Sequence, residues 1–243
     1  MAKQPPKQGR YARKQASSPD YMDRQERFQV VPKTDTQKIH LAAIEDHDLT
    51  IVTGPAGTGK TYCTAGKVAE LFSRADRNGL RAYDNIVVAR SIIPTGKSMG
   101  YLPGDVKEKL TPWVMPMLNV LEKALGKSDY AYKLERDIIQ IQPLETIRGR
   151  SFERTLLMVD EAQNLDFEEI KAITTRIGEG SKMILRGDAF QRDIKGDSPL
   201  MKFASMCHRH SINVPVITYH VDDIVRSDIT AQLVKMFYYE HGK

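Results

Sequence analysis

Cysteine is almost absent from this 243-residue chain: Cys63 and Cys207 are the only two, so no disulfide framework holds the fold. No apolar run approaches the roughly 20 residues that a membrane-spanning helix needs, and no apolar stretch follows the basic start as a secretory leader requires. Both absences point to a reducing cytoplasm and exclude a membrane partner. Cys207, His208 and His210 stand close together but lack a fourth ligand at sensible spacing, which argues against structural zinc. Acidic residues are missing from residues 1 to 19, which carry Lys3, Lys7, Arg10, Arg13 and Lys14. Removing those five from 36 Lys and Arg leaves 31, against 31 Asp and Glu, so the net charge of +5 is a property of the tail. With Pro5-Pro6, Gly9 and Ser17-Ser18-Pro19 and little apolar periodicity, residues 1–32 are expected to be a basic disordered tail. Residues 33–243, in a chain that is 41% hydrophobic, are expected to form one domain. A flexible arm of this charge either touches phosphate backbones or simply solubilises the chain.

Within the domain, Gly54-Pro55-Ala56-Gly57-Thr58-Gly59-Lys60-Thr61 follows the apolar run from Leu49 to Thr53. A buried strand that feeds a glycine loop and then a helix is the context of a P-loop. Glycines let backbone N–H groups approach phosphate oxygens, and the helix adds the positive end of its dipole. Lys60 is then placed for the β and γ phosphates and the Thr61 hydroxyl for Mg²⁺. The second motif runs from Thr155 to Gln163, where an apolar strand ends in Asp160-Glu161. Alone, such a pair is more often a solvated helix start. After an intact P-loop, Asp160 reads as a metal ligand and Glu161 as a base for water. A third strand, Lys182 to Arg186, also ends in a polar tip, Gly187-Asp188, with Gln191 placed to bond the attacking water or the γ-phosphate.

Elsewhere the pattern predicts a short helix capped by Thr36, a strand at 85–89, and a helix with Met117, Val120, Leu121, Ala124 and Leu125 on one stripe, stopped by Gly126. A strand at 138–142 follows, then a helix from Asp166 through Ile177 with an Asp166/Glu169 capping box. A helix at 198–206, a strand at 214–219 and a last helix with Ile229, Leu233, Met236 and Phe237 complete the list. Strands alternating with crossover helices predict an α/β fold, a parallel sheet with helices on both faces and the phosphate site at the carboxyl ends of the strands.

Taken with Leu102 to Lys109, Arg148-Gly-Arg150, Asp160 to Asn164, Thr175 to Gly178 and Gly187-Asp188 with Gln191, the P-loop string resembles the PhoH-like ATPases from about Gln37 to Tyr239. The chain departs from that pattern at Ala89-Arg90-Ser91, where Thr-Arg-Pro is usual, and at Ile147, where Met is common. The resemblance implies a RecA-like core, ATP hydrolysis with Mg²⁺, and an RNA or single-stranded DNA partner. It implies further that Gln37 contacts adenine, that Pro55, Ala56, Thr58 and Tyr62 complete the nucleotide site, and that Arg90 to Lys97 touch nucleic acid. Some relatives fuse a PIN-type nuclease domain; about 35 tail residues do not hold one, so no ribonuclease activity is expected. One RecA-like domain lacks the arginine that a second would supply, so an oligomer, a hexameric ring by the resemblance, is expected to donate one in trans. Arg226, before the last helix, is the candidate, with Arg176 as runner-up. The competing readings are a nucleotide-switched assembly protein with slow turnover and a P-loop kinase for a small metabolite, against which Glu161 argues.

Overall fold

A computed structural model describes residues 28–75, 78–91, 106–147, 149–188 and 198–241. Most of the tail, Lys97, Arg148, Gln191 and the Leu102 to Asp105 part of one motif lie outside the described residues.

All six strands expected from the residue pattern form: β1 (Leu49–Thr53), β2 (Asn85–Arg90), β3 (Ile139–Pro143), β4 (Thr155–Asp160), β5 (Lys182–Arg186) and β6 (Val216–Thr218). They make one sheet in the order β3-β2-β4-β5-β1-β6, with every pairing parallel. Between them run α1 (Asp35–Asp46), α2 (Lys60–Ser73), α3 (Val106–Leu125), α4 (Lys127–Glu135), α5 (Leu144–Ile147), α6 (Phe167–Thr174), α7 (Pro199–Arg209) and α8 (Asp228–His241).

Because successive strand residues face opposite sides, the central strands feed two cores. Val52, Val88, Leu156, Met158 and Ile184 pack under α1, α2 and α3, whereas Ile51, Val87, Leu157, Val159, Met183 and Leu185 pack against α6 and α7. Each such side chain is worth about 1.5–3 kcal/mol when fully buried. β5 lies between β1 and β4, with Val52 opposite Arg186 and Val159 opposite Leu185. The residues that leave the carboxyl end of β5 therefore emerge between the P-loop and the acidic tip of β4.

The structure corrects several local expectations. Thr34, not Thr36, caps α1: its hydroxyl accepts from the Gln37 backbone N–H at 3.2 Å. The capping box at Asp166 and Glu169 forms, yet α6 ends at Thr174, and Ile177 bridges instead to Phe152. α3 starts eleven residues before Met117 and runs through Pro112 and Pro116. An interior proline costs about 3 kcal/mol. Here Leu110, Val114, Met117, Leu118, Leu121 and Leu125 bury one stripe of the helix, and that burial outweighs the cost. The domain also begins before residue 33, because Val30 is buried and the Phe28 ring stands edge-on to Tyr62 on α2.

One buried polar network ties α1 to α2 and β6. His40 is fully buried, with Nδ1 2.8 Å from the Tyr219 hydroxyl and Nε2 3.3 Å from the Thr64 hydroxyl. Burial, aided by the charges of Arg186 and Lys60, pushes its imidazole pKa down to about 3. The unfolded chain binds a proton there below pH 6.5 while the folded one refuses it. Stability is therefore expected to fall as pH drops from about 6.5 toward 3, by up to about 1.4 kcal/mol per pH unit from this group. Urea titrations at several pH values should show a flatter profile for His40→Asn than for the natural chain. Parallel profiles would show that His40 contributes no such dependence.

Candidate nucleotide site

β1 delivers the P-loop to the carboxyl end of the sheet, and α2 starts at Lys60 directly beneath it. Gly54 adopts φ 133°, and a Cβ there would lie 2.5 Å from the Tyr219 carbonyl oxygen, so the loop can turn over β6 only with glycine. Gly57 has φ 86°, and its missing Cβ leaves room for the Arg226 side chain, whose Cδ and Nε would each stand 3.1 Å from that atom. Thr58 bonds the Pro55 carbonyl at 3.1 Å and closes the loop on itself. Lys60 is buried and donates to the Gly54 and Pro55 carbonyls, the latter at 2.6 Å. Burial brings its pKa down to about 8, with Asp188 nearby working in the opposite direction.

Asp160 closes β4 and is buried. One carboxylate oxygen accepts from Arg186 and from the Glu161 backbone N–H at 2.9 Å; the other accepts from Arg90 at 3.1 Å. Glu161 follows in the left-handed region at φ 54°, a conformation that a non-glycine residue holds only when its surroundings impose it. Gln163 supplies part of that restraint. Its amide nitrogen donates to Glu161 Oε2 at 2.6 Å while its carbonyl accepts from the Asp188 backbone N–H at 3.0 Å. The base candidate and the β5 tip are thus held by one buried side chain.

Ala56, Gly57, Gly59, Lys60, Thr61, Tyr62, Asp160, Glu161, Arg186, Asp188, Val225 and Arg226 share one cavity of about 460 Å³. Motifs a hundred residues apart in sequence meet there. Gln37 lies just behind: its amide donates to the Thr58 carbonyl at 3.0 Å and accepts from the Lys33 N–H at 2.7 Å, so it braces the loop. The Thr61 hydroxyl and Asp160 Oδ1 both accept from the two terminal nitrogens of the Arg186 guanidinium, the former at 2.6 Å. Two hard oxygens that converge on one cation suit Mg²⁺, which takes oxygen ligands and keeps several waters. Thr61 and Asp160 would hold it, and the ion would supply charge neutralisation for phosphate oxygens.

Arg90 faces Asp160 and, at 3.8 Å, Glu161, and its guanidinium stacks on Trp113 at 5.2 Å. It therefore joins the charge network around Asp160. Within its own chain Arg226 lies against Gly57 of the P-loop, held there by the Val225 N–H bond to the Gly57 carbonyl at 3.1 Å. The Ser227 carbonyl accepts from the Ala231 N–H at 2.9 Å, as the N-cap of α8 should. Arg176 is far from the cavity, beside Phe152 at the amino ends of the strands. Arg186 carries no motif of its own, and only the strand order shows that it emerges between Thr61 and Asp160.

Fold and site together define a P-loop NTPase. Residues 29–238 match the profile of the family described as PhoH-like protein. A PhoH-like protein of Bacillus subtilis is 35% identical over 206 residues, covering 84% of this chain and 63% of that protein. Protein PhoH of Escherichia coli is 34% identical over 201 residues, covering 82% and 55%. This chain belongs to the PhoH-like family, and it spans between half and two thirds of the length of these two relatives. Among solved structures, the HK97 bacteriophage large terminase shares the fold, with a TM-score of 0.51 at 12% identity over 86% of this chain and 47% of that one. No helix among the described residues is long and apolar enough to cross a membrane.

Proposed function

We propose that this chain is a cytoplasmic Mg²⁺-dependent ATPase that hydrolyses ATP to ADP and phosphate and couples the reaction to rearrangement of RNA or single-stranded DNA. The observation that carries the reading is the single cavity in which Lys60, Thr61, Asp160, Glu161 and Arg226 meet. In this reading the P-loop N–H groups and Lys60 bind the phosphates, and Gln37 and Tyr62 border the base. Glu161, held by Gln163 and its backbone restraint, accepts the proton of the attacking water. Gln191 completes the γ-phosphate contacts. Water is favoured over a metabolite as acceptor because a carboxylate base stands beside the metal ligand.

The nucleic-acid half rests on kinship, on the basic arm, and on Trp113, whose ring is 48% exposed beside Arg90 and offers a face for base stacking. Self-association into a hexameric ring belongs to the same proposal. Ile229, Leu233 and Met236 lie exposed along α8, which supports a subunit contact. Arg176, at the opposite end of the sheet, is the arginine assigned to a neighbour's site.

Phosphate release measured with and without poly(U), poly(A) and single-stranded DNA tests the reading. Turnover that needs Mg²⁺ and rises several-fold with one of the polymers is expected. Turnover indifferent to all of them would favour the nucleotide-switched assembly protein, and no turnover at all would remove the ATPase.

A further inference from the structure

Arg186 makes two contacts, and leaves one donor without a partner, in a way that does not fit a passive strand end. One terminal nitrogen donates to the Thr61 hydroxyl at 2.6 Å, and the other donates to Asp160 Oδ1. Its Nε is buried with no hydrogen-bond partner. The guanidinium therefore bridges the two oxygens that suit a divalent cation, and it does so with one donor unsatisfied. Lys60 and, through Asp160 and Glu161, Arg90 stand near it, so several positive charges already face Asp160, Glu161 and Asp188.

We infer that Arg186 is a resident cation of this site, seated between Thr61 and Asp160, and that a divalent metal binds there only when the guanidinium swings away. The inference rests on the nucleotide reading of the cavity. Metal and guanidinium compete for the same two oxygens, and two cations a few ångströms apart repel strongly where water is scarce. Asp160 is already neutralised by Arg186 and Arg90, so a lone metal ion gains little by entering. Nucleotide phosphates change that balance, because they offer the displaced fork a bidentate partner and satisfy the idle Nε. Metal and nucleotide are thereby coupled: each makes room for the other, reciprocally and by the same factor. A small uncharged residue at 186 would leave the metal oxygens permanently open and the two ligands less dependent on each other.

The test uses Mn²⁺ as the metal probe and the full chain, with free Mn²⁺ followed by electron paramagnetic resonance, in the absence and presence of ADP. Arg186→Met is expected to bind Mn²⁺ without nucleotide at least tenfold more tightly than the natural chain, and ADP should improve its Mn²⁺ affinity far less. Arg186→Lys, which keeps the charge and loses the fork, should fall between them. Melting curves give a second readout. Mn²⁺ should raise the melting temperature of Arg186→Met more than that of the natural chain, since a buried Asp160 has lost one of its two arginines. Equal or weaker Mn²⁺ binding by both folded variants would overturn the inference; if Arg186→Met does not fold, Arg186→Lys alone decides by the same criterion. Failure of the natural chain to bind ADP would instead sink the ATPase reading, and the nucleotide-free Mn²⁺ titration would still judge Arg186.

Discussion

Lys60→Ala is expected to abolish measurable ATP turnover, a loss of at least about a hundredfold, because a preorganised cation at the β and γ phosphates acts where charge develops. Binding of ATP should weaken in the same variant, since the ammonium is a charge-assisted donor to the ground state as well. The fold should survive. Lys60 is buried against the Gly54 and Pro55 carbonyls, and burial lowers its pKa to about 8. A lysine whose folded pKa is depressed costs stability at neutral pH, where the unfolded chain carries the proton without penalty. The alanine variant should therefore melt at the same temperature as the natural chain or above it. Phosphate release, titration with a fluorescent ATP analogue and a melting curve check the three statements. Undiminished turnover would remove the P-loop from the chemistry, and a collapsed melting temperature would mean that Lys60 holds the loop together.

What could be read from residue order alone depended on how local its cause was. The strands at 49–53, 155–160 and 182–186 were legible because they are short apolar runs with polar tips, and the Asp166/Glu169 box because it spans one helical turn. The P-loop needs only its eight residues and their strand–helix setting. α3 resisted because Pro112 and Pro116 are strong local stops, overridden by a buried stripe that exists only once the sheet is in place. α4 went unpredicted for a related reason: of its nine residues only Lys133 is buried, so no apolar stripe marks it. The site was half legible. Lys60, Thr61, Asp160 and Glu161 announce themselves by motif, but Arg186 enters the cavity and Arg90 reaches Asp160 through strand neighbours, β5 beside β1 and β2 beside β4. That adjacency is a property of the sheet and leaves no mark in the spacing.

Arg226→Ala is the other variant from which a large loss is expected, about 10³-fold or more in turnover if its guanidinium meets the transferring phosphate as arginine fingers do. It sits between the last strand and α8, near a helix start where a cation is disfavoured, so the position has a local cost. The structure shows what repays it: Val225 is pinned to Gly57, and the Arg226 stem crosses the face of Gly57 that a Cβ would fill. The arginine is thus presented to the cavity of its own chain, beside Lys60 and Asp188. Affinity for ATP should change little, since the P-loop, Lys60 and the metal oxygens remain. Mixing Arg226→Ala with Lys60→Ala separates the two possible geometries. If Arg226 serves its own P-loop, every subunit in the mixture is defective and turnover stays near background even when the subunits exchange. Recovery of a sizeable fraction of activity would show that the arginine crosses an interface, because only then does some intact P-loop face an intact finger. The same mixture made with Arg176→Ala asks the converse question of the arginine at the far end of the sheet, and there recovery is the expected result.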